Sequence, residues 1–564
     1  MKQTFNYRQK ARQFFAVLLP IFITQLSLMA TGFFNTVMAG HISEQDLAGV
    51  AVGVNLFMPF FGSFLGIISG LTPTISQLYG AGRQDKIGFI VKQGFYWALG
   101  LAVLFLVLGW LAVPLVLPLL NLEPRVEYIT RYYLIAVSFG IIPIFLAGVL
   151  RNFIDAHGYT RLTMCITMCT VPTNIILNYI LMYGLFGVPA FGGIGAGIGS
   201  AIALTLNFVL NAIVVMQISP FRQYRVFHQL PRLDFAEWKK QLGIGIPIGG
   251  TMFCEQSIFG AVGLFMTAYG TAIVAAHQAA MNFTTMVYMI PMSVSMTLTI
   301  LVGYEVGAKR QQDARQYIRL SRVLTFLFVG SLALLLTQFR EAIAAFYTSS
   351  PEVQPILMGF LVYAVFMQFS DSINAPLQGA LRGYKDVHVT FLLAVLSFWI
   401  IGLPAGWGLA NYTSFGPYGY WIGLIIGILV GAVCLVLRLH SVKKNKQKKR
   451  APLKKSGAFS ISSEKLLSEC VDFASQTGLS ASCAVFMINM VSSSLVDSLA
   501  SSRKEGFRFI SVSSLNSVEN TTGSSAYTRL LSSVLCMALS VRFYTKNRCF
   551  DIWQLVSPPL MSLP

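Results

Sequence analysis

One register shift runs through this chain. Pro20 recurs as Pro247, and Leu47 to Asn55 (LAGVAVGVN) recurs as Val274 to Asn282 (VAAHQAAMN), an offset of 227 positions in both cases. At the same offset Gly80-Ala81 with Arg83-Gln84 answers Gly307-Ala308 with Arg310-Gln311, and Pro124 and Val126 answer Pro351 and Val353. After a small deletion Gly158-Tyr159 pairs with Gly383-Tyr384, and Gly192, Gly195, Ile198 and Gly199 pair with Gly416, Gly419, Ile422 and Gly423. A single match carries little weight, but one nearly constant offset held over this length marks a duplicated unit. Two copies of one unit fold alike, so the solvent that suits one must suit the other.

That solvent is lipid. Of the 564 residues, 55% are hydrophobic and only 11% charged, which excludes an ordinary soluble globule. A bilayer core about 30 Å thick needs roughly 20 apolar residues per helix. Runs of that length begin near residues 13, 47, 93, 129, 162, 194, 243, 275, 323, 356, 388 and 419. They do not alternate as barrel strands would. The expected fold is therefore an all-α integral membrane protein of twelve transmembrane helices. Six spans per copy return the chain to its starting side, so the two six-helix lobes should be related by a pseudo-two-fold axis along the membrane normal. That is the parallel-repeat plan of several secondary transporters, with the pathway between the lobes. No charge ring or carbonyl filter suggests a channel.

Basic residues set the orientation. With the amino terminus inside, cytoplasmic segments hold four Lys and Arg before the first span, then three, two, five, five and two in alternate loops. Only Arg125, Arg131 and Arg340 fall on the other side. This bias predicts a multi-pass protein of the cell membrane with both termini cytoplasmic. It also accounts for the net charge of +19 through anionic lipid headgroups rather than nucleic acid. The first apolar run is too long for a cleaved signal and has a counterpart at the seventh span, so it is expected to be retained. Cys165 and Cys169 sit one helical turn apart without neighbouring His or carboxylate and read as buried thiols. The domain reading is an amino-terminal lobe over 1–219, a cytoplasmic linker over 220–242, a carboxy-terminal lobe over 243–440, and a basic, then Ser-rich, cytoplasmic tail over 441–564. The tail has 25 Ser among its last 109 residues and is expected to be disordered.

Two acids stand apart from the loops. Glu255 (GTMFCEQSIFG) lies inside the seventh span and Asp371 (FMQFSDSINAPLQG) inside the tenth. A carboxylate at that depth costs about 2.5 to 3.5 kcal/mol or more unless a proton, a cation or a basic partner neutralises it. No Lys or Arg is placed at similar depth, so the pair is expected to hold a proton or a hard monovalent cation. Sodium is the metal candidate, with Glu255 and Asp371 as its ligands. The structural alternative is that each carboxyl is protonated and caps a backbone carbonyl. Gln256, Ser257, Gln278, Asn282, Gln368, Ser370 and Asn374 can supply further polar groups. The first copy has only amides at membrane depth, including Gln25, Asn35, Asn55, Asn174, Asn178 and Asn207, so titration is expected in the second copy alone. His277 is expected to be a packing residue. Scattered histidines with no nucleophile-base spacing argue against an enzyme.

With these residues placed, the chain resembles the multidrug and toxic compound extrusion (MATE) family in its NorM-like branch, from about Pro20 to Leu437. The carriers are Asn35-Thr-Val-Met-Ala-Gly40, Leu47-Ala-Gly-Val-Ala-Val-Gly53, Pro172-x-Asn174-x-x-x-Asn178-Tyr179 and Gly192-Gly193-x-Gly195-Ala196. In the second copy they are Glu255, Ala275-Ala276-His277-Gln278, Asp371 and Leu381-Arg382-Gly383-Tyr384-Lys385-Asp386. The resemblance implies an antiporter that exports amphipathic, often cationic, organic compounds in exchange for sodium or protons, with Glu255 and Asp371 in the cation site. Many members carry an aspartate where this chain has Asn35, so a proton mechanism centred on the first lobe is not expected and sodium is favoured. No cofactor other than the coupling ion is expected, and the protein should act as a monomer in the bilayer. A flippase for lipid-linked precursors could share the fold, but its cavity would be expected to hold mid-span Lys or Arg. A major-facilitator porter would need a different loop order than Gly80-Ala-Gly-Arg-Gln-Asp-Lys86.

Overall fold

The computed structural model describes residues 1, 3–228, 231–448, 542–545 and 548–551. The first repeat begins with α1 (Tyr7–Gly40) and α2 (Glu44–Ser69), which runs on through Gly70 into α3 (Leu71–Gly80). It continues with α4 (Gln84–Val116), the bent pair α5 (Pro124–Ser138) and α6 (Ile141–Ala156), α7 (Thr160–Tyr183) and α8 (Gly193–Gln217). The second repeat holds α9 (Phe235–Met266), α10 (Thr271–Gly307), α11 (Gln311–Tyr347) and α12 (Val353–Gly383). It ends with α13 (Val387–Val395), a π-helical turn over 396–402, α14 (Leu403–Tyr412) and α15 (Tyr418–Lys448). Ten of the described helical stretches are long and apolar enough to cross a bilayer, and the α5–α6 pair, bent by 47°, makes eleven. The twelfth span is α9, 32 residues long, whose apolarity is diluted by its glycines and by Glu255 and Gln256. The protein is a twelve-span, two-lobe membrane protein, with all the predicted spans helical.

Local chemistry explains where helices start. Ser43 caps α2 by accepting from the Asp46 amide, and Asp46 in turn accepts from the Gly193 amide at 2.6 Å, so one carboxylate sits at the start of both α2 and α8. Asp234 accepts from the amides of Ala236 and Glu237. That cap starts α9 at Phe235, within the segment read from the sequence as linker. The rest of the linker is tied to the first lobe, with Gln93 Nε2 donating to the Arg232 carbonyl and the Trp238 indole donating to Gln93 Oε1. His157, at the end of α6, donates from Nδ1 to the Phe153 carbonyl and accepts at Nε2 from the Tyr224 hydroxyl at 2.9 Å. Burial pushes the His157 imidazole down to about 4 and the Tyr224 hydroxyl up to about 12.

Each lobe has its own apolar core. Ile68, Leu71, Trp97, Phe145 and Phe153 pack in the first lobe, and Ile258, Leu357, Phe360, Trp421 and Leu424 in the second. A further cluster joins the lobes at the end that carries the amino terminus, where Phe14, Val17 and Ile21 of α1 meet Val294, Leu298 and Leu301 of α10 and Tyr317 of α11. At the same end the helices pack backbone to backbone. A Cβ on Gly70 or Gly66 would collide with Gly245 or with Gly249 and Met252 of α9, and one on Gly80 would collide with the Tyr304 carbonyl. Gln77 Nε2 donates to the Gly383 carbonyl at 2.8 Å across the lobes. The amino-terminal arm adds a polar tie: Lys10, fully buried, pairs with Asp313 of α11 at 2.9 Å and donates to the Thr4 carbonyl at 2.7 Å. Toward mid-membrane Gln25 meets Met292 and Phe60 meets Phe253 across the lobes. Beyond that depth Asn55 and Met58 on α2, and Gln278, Asn282 and Met286 on α10, are exposed. Asn55 and Asn282 are counterparts in the repeat.

The predicted tail falls largely outside the described residues. Two described parts depart from a structureless reading: α15 continues through Lys448, and β1 (Arg542–Thr545) pairs antiparallel with β2 (Arg548–Asp551) in a hairpin.

Candidate functional site

The site is built from α9 and α12. Asp371, Asn374, Gln378 and Arg382 follow one another at spacings of three, four and four along α12, which aligns them on one helix face. All four are buried. Pro376, inside the helix, has no amide hydrogen, so the Ser372 carbonyl loses its usual helical donor, and the Ser372 hydroxyl is buried without a partner. Glu255 approaches from α9, two turns beyond Pro247. Its Oε1 accepts from Gln378 Nε2 at 2.7 Å, Gln378 Nε2 also reaches Asn374 Oδ1 at 3.2 Å, and Arg382 Nη2 donates to Gln378 Oε1 at 3.0 Å. Glu255 and Asp371 lie within electrostatic reach of one another, and Tyr288 of α10 within reach of both.

The two acids singled out in the sequence are thus brought together in one lobe, and neither forms an ion pair among the described residues. The expectation that no basic residue serves them needs correction. Arg382 has loop-like sequence neighbours, but it forms the last turn of α12, turns inward, and reaches Glu255 through one amide. Gln378, Arg382 and Tyr288 were missed, although the four-residue spacing of Asn374, Gln378 and Arg382 was available as a signal.

The supporting groups divide. Asn374 joins the site, while Gln368 donates to the Thr284 carbonyl at 2.9 Å and leaves its own Oε1 buried and unpartnered. Gln278 and Asn282 are exposed on α10 and make no hydrogen bond to the acids. Asn35, Asn174 and Asn178 form a separate cluster in the first lobe, because they lie on α1 and α7. Asn178 Nδ2 donates to Asn35 Oδ1 at 2.7 Å and to Asn174 Oδ1 at 3.1 Å, and Asn174 Nδ2 reaches the Ser200 hydroxyl at 3.4 Å. His277 is buried and accepts from the Trp421 indole at 3.0 Å, a packing contact. Glu255 and Asp371 offer carboxylate oxygens and Asn374 an amide oxygen, the chemistry that hard cations take, while Gln378 turns an NH2 toward Glu255.

Residues 20–180 and 247–407 each match the MatE family, so the two matched segments carry the same register shift seen in the sequence. The chain belongs to the MATE family of transporters. Among curated MATE relatives, the probable multidrug resistance protein NorM of Bacillus subtilis is 45% identical over 450 residues, covering 80% of this chain and all of the relative. Its namesake in Oceanobacillus iheyensis is 44% identical over 445 residues, covering 79% of this chain and 99% of the relative. Among solved MATE structures, NorM-NG in complex with a ligand and a monobody aligns with a TM-score of 0.68 at 29% identity, over 78% of this chain and 96% of that one. A mutant of the Vibrio cholerae MATE transporter VcmN aligns with a TM-score of 0.70 at 22% identity, over 79% of this chain and 98% of that one. About a fifth of this MATE chain lies outside each alignment.

Proposed function

We propose that this MATE protein is an antiporter of the cell membrane that exports amphipathic, often cationic, organic compounds in exchange for sodium or protons bound at Glu255 and Asp371. The observation that carries the reading is the pair itself: two carboxylates from α9 and α12, gathered within the membrane depth of one lobe, with no direct cationic partner among the described residues. A visiting cation relieves the cost of holding them there. The multidrug resistance names of the NorM relatives support the substrate class.

Orientation follows from the distribution of Lys and Arg, which places the amino terminus, and with it the tightly packed end of the lobes, in the cytoplasm. In this conformation the protein is closed to the cytoplasm and its exposed α2 and α10 stripes face outward. Entry of one positive charge down the membrane potential releases about 2.3 kcal/mol per 100 mV. A differential of a few kcal/mol between two packings of the lobes is enough to invert their populations. Cation binding at α9 and α12, the helices that carry the packed glycine at 249 and the Gly383 carbonyl, therefore acts on elements that also form the inter-lobe contact.

The test is dye efflux from membrane vesicles under imposed sodium or proton gradients. Glu255→Gln and Asp371→Asn should each remain in the membrane and lose gradient-driven export by about a hundredfold or more, equivalent to about 2.7 kcal/mol. Export at the normal rate in both variants would make the carboxylates structural.

A further inference from the structure

We infer that Arg382, acting through Gln378, is the resident positive charge that compensates Glu255 when the coupling cation has left. The inference rests on the reading of Glu255 and Asp371 as the cation site.

Arg382 is 9% exposed and has no ion pair among the described residues. A guanidinium held in that way is costly unless an anion lies near. The anion it finds is one amide away. Gln378 turns its NH2 toward Glu255 at 2.7 Å and its carbonyl oxygen toward Arg382 at 3.0 Å. Only this orientation fits, since flipping the amide would set oxygen against carboxylate and NH2 against guanidinium. The amide dipole is therefore aligned between a fixed cation and a carboxylate, and each hydrogen bond strengthens the other. A cation arriving at Glu255 competes with this internal partner for the same negative charge.

The competition has a direction. Arg382 lowers the affinity of the site for the coupling cation, so that the ion is released rather than trapped, and it spares the emptied lobe an unpaired carboxylate. The position of the residue suits that role, because the next carbonyl, that of Gly383, accepts from Gln77 across the lobe interface. Arg382 is a positioning residue in this scheme, with Glu255 as the group that touches the ion.

The experiment measures the sodium concentration at half-maximal thermal stabilisation of the purified full-length protein, and separately the turnover of dye export at saturating sodium. Arg382→Gln should lower the sodium midpoint by roughly tenfold, as expected for loss of a like charge about 10 Å from the ion at an effective dielectric of about 20. Turnover should fall with it, because release is slowed. Arg382→Lys should restore both toward normal. A merely structural arginine predicts the opposite sign, a raised midpoint, and that result or an unchanged midpoint overturns the inference. Should Arg382→Gln fail to accumulate, Gln378→Leu interrupts the bridge with the arginine retained and should also lower the midpoint; no change or a rise there overturns the inference as well. Glu255→Gln separates the two levels. If it leaves sodium stabilisation intact, the site reading falls and Arg382 with it; if wild type shows none, the inference about Arg382 falls, and proton coupling at the same pair is decided by the efflux test. If it abolishes stabilisation while Arg382→Gln is silent, only the role of Arg382 falls.

Discussion

Gly80 of the first lobe packs against the Tyr304 carbonyl of the second, and Gly307 of the second packs against the Gln77 carbonyl of the first. Each residue is its partner's counterpart in the repeat, Gly80 with Gly307 and Gln77 with Tyr304, all at the 227-residue offset. At this pair of contacts duplication has been kept. At the carboxylates it has not. At the same offset Glu255 falls on Leu28 and Asn35 falls on Val262, while Asp371 falls on Ile144 or, past the small deletion, Leu146. A symmetric contact lets two lobes rock as two-fold-related partners, whereas a charge in only one of them lets a single ion bias the motion.

Neutralising the acids gives the largest effect by which this contrast can be broken. Glu255→Gln or Asp371→Asn should remove coupled export, whereas Asn35→Ala, in the lobe without acids, should leave export within about threefold of normal, since a neutral amide contact in a membrane protein is worth on average only about 0.6 kcal/mol. Equal losses in the two lobes would show that the first also carries a coupling group. The next effect tests the symmetric part. A side chain at Gly80 or Gly307 forces the carbonyl of the facing helix away, and overpacking of this kind costs roughly 1 to 3 kcal/mol. Gly80→Val and Gly307→Val should each shift the protein away from the closed inter-lobe packing by about five- to a hundred-and-fiftyfold. Accessibility of a cysteine placed at Gln77 to a membrane-impermeant thiol reagent reads this out. A large effect from one glycine with none from the other would refute the symmetric contact.

Most of the fold was legible because hydropathy acts on every residue of a span. All twelve runs became helices, and the repeat register located both halves. The starts were read late wherever a helix extends past the lipid, as in α9, where the Asp234 cap and Trp238 lie in a polar stretch that carries no apolar signal. The acids were legible because an ionisable group in an apolar run stands out. Arg382 was not, because its sequence neighbours Gly383, Tyr384 and Lys385 resemble a loop, and only the four-residue spacing back to Gln378 shows that the guanidinium turns inward. Gln278 and Asn282 fell on the opposite side of the question: they occupy α10 within one turn of each other, but on its exposed face.

A third contrast sets His157 against Arg382. Past the small deletion the offset is 225, which makes these two residues counterparts. One is permanently charged, the other buried and held neutral, with its imidazole at about 4 rather than its usual 6.5. Between those values the unfolded chain binds more protons than the folded one, so the contribution of His157 is complete above pH 6.5 and is lost as pH falls toward 4. Thermal unfolding in detergent should show about 1 kcal/mol of loss on going from pH 6.5 to 5.5. His157→Gln, which keeps a polar group without a titrating ring, should flatten that part of the profile. A profile unchanged by the substitution would remove His157 from the comparison.

The smallest effect tests whether the amides of the first lobe are scaffold. Asn178→Ala strips the donor from Asn35 Oδ1 and Asn174 Oδ1 and relieves the buried, unpartnered Asn178 Oδ1 at the same time. Losing two acceptors' partner and one unsatisfied atom together leaves a small net cost, about 0.6 kcal/mol for an average hydrogen-bonded side chain within a membrane. The melting temperature should drop slightly, with the sodium midpoint of the second lobe unchanged. The neighbouring Gly199 is what makes this sensitive, because it lets α8 close onto the Asn178 side chain. If Asn178→Ala instead moved the sodium midpoint by as much as Arg382→Gln, the two lobes would share one ion-sensing network, and the division of labour between a neutral lobe and a charged one would be lost.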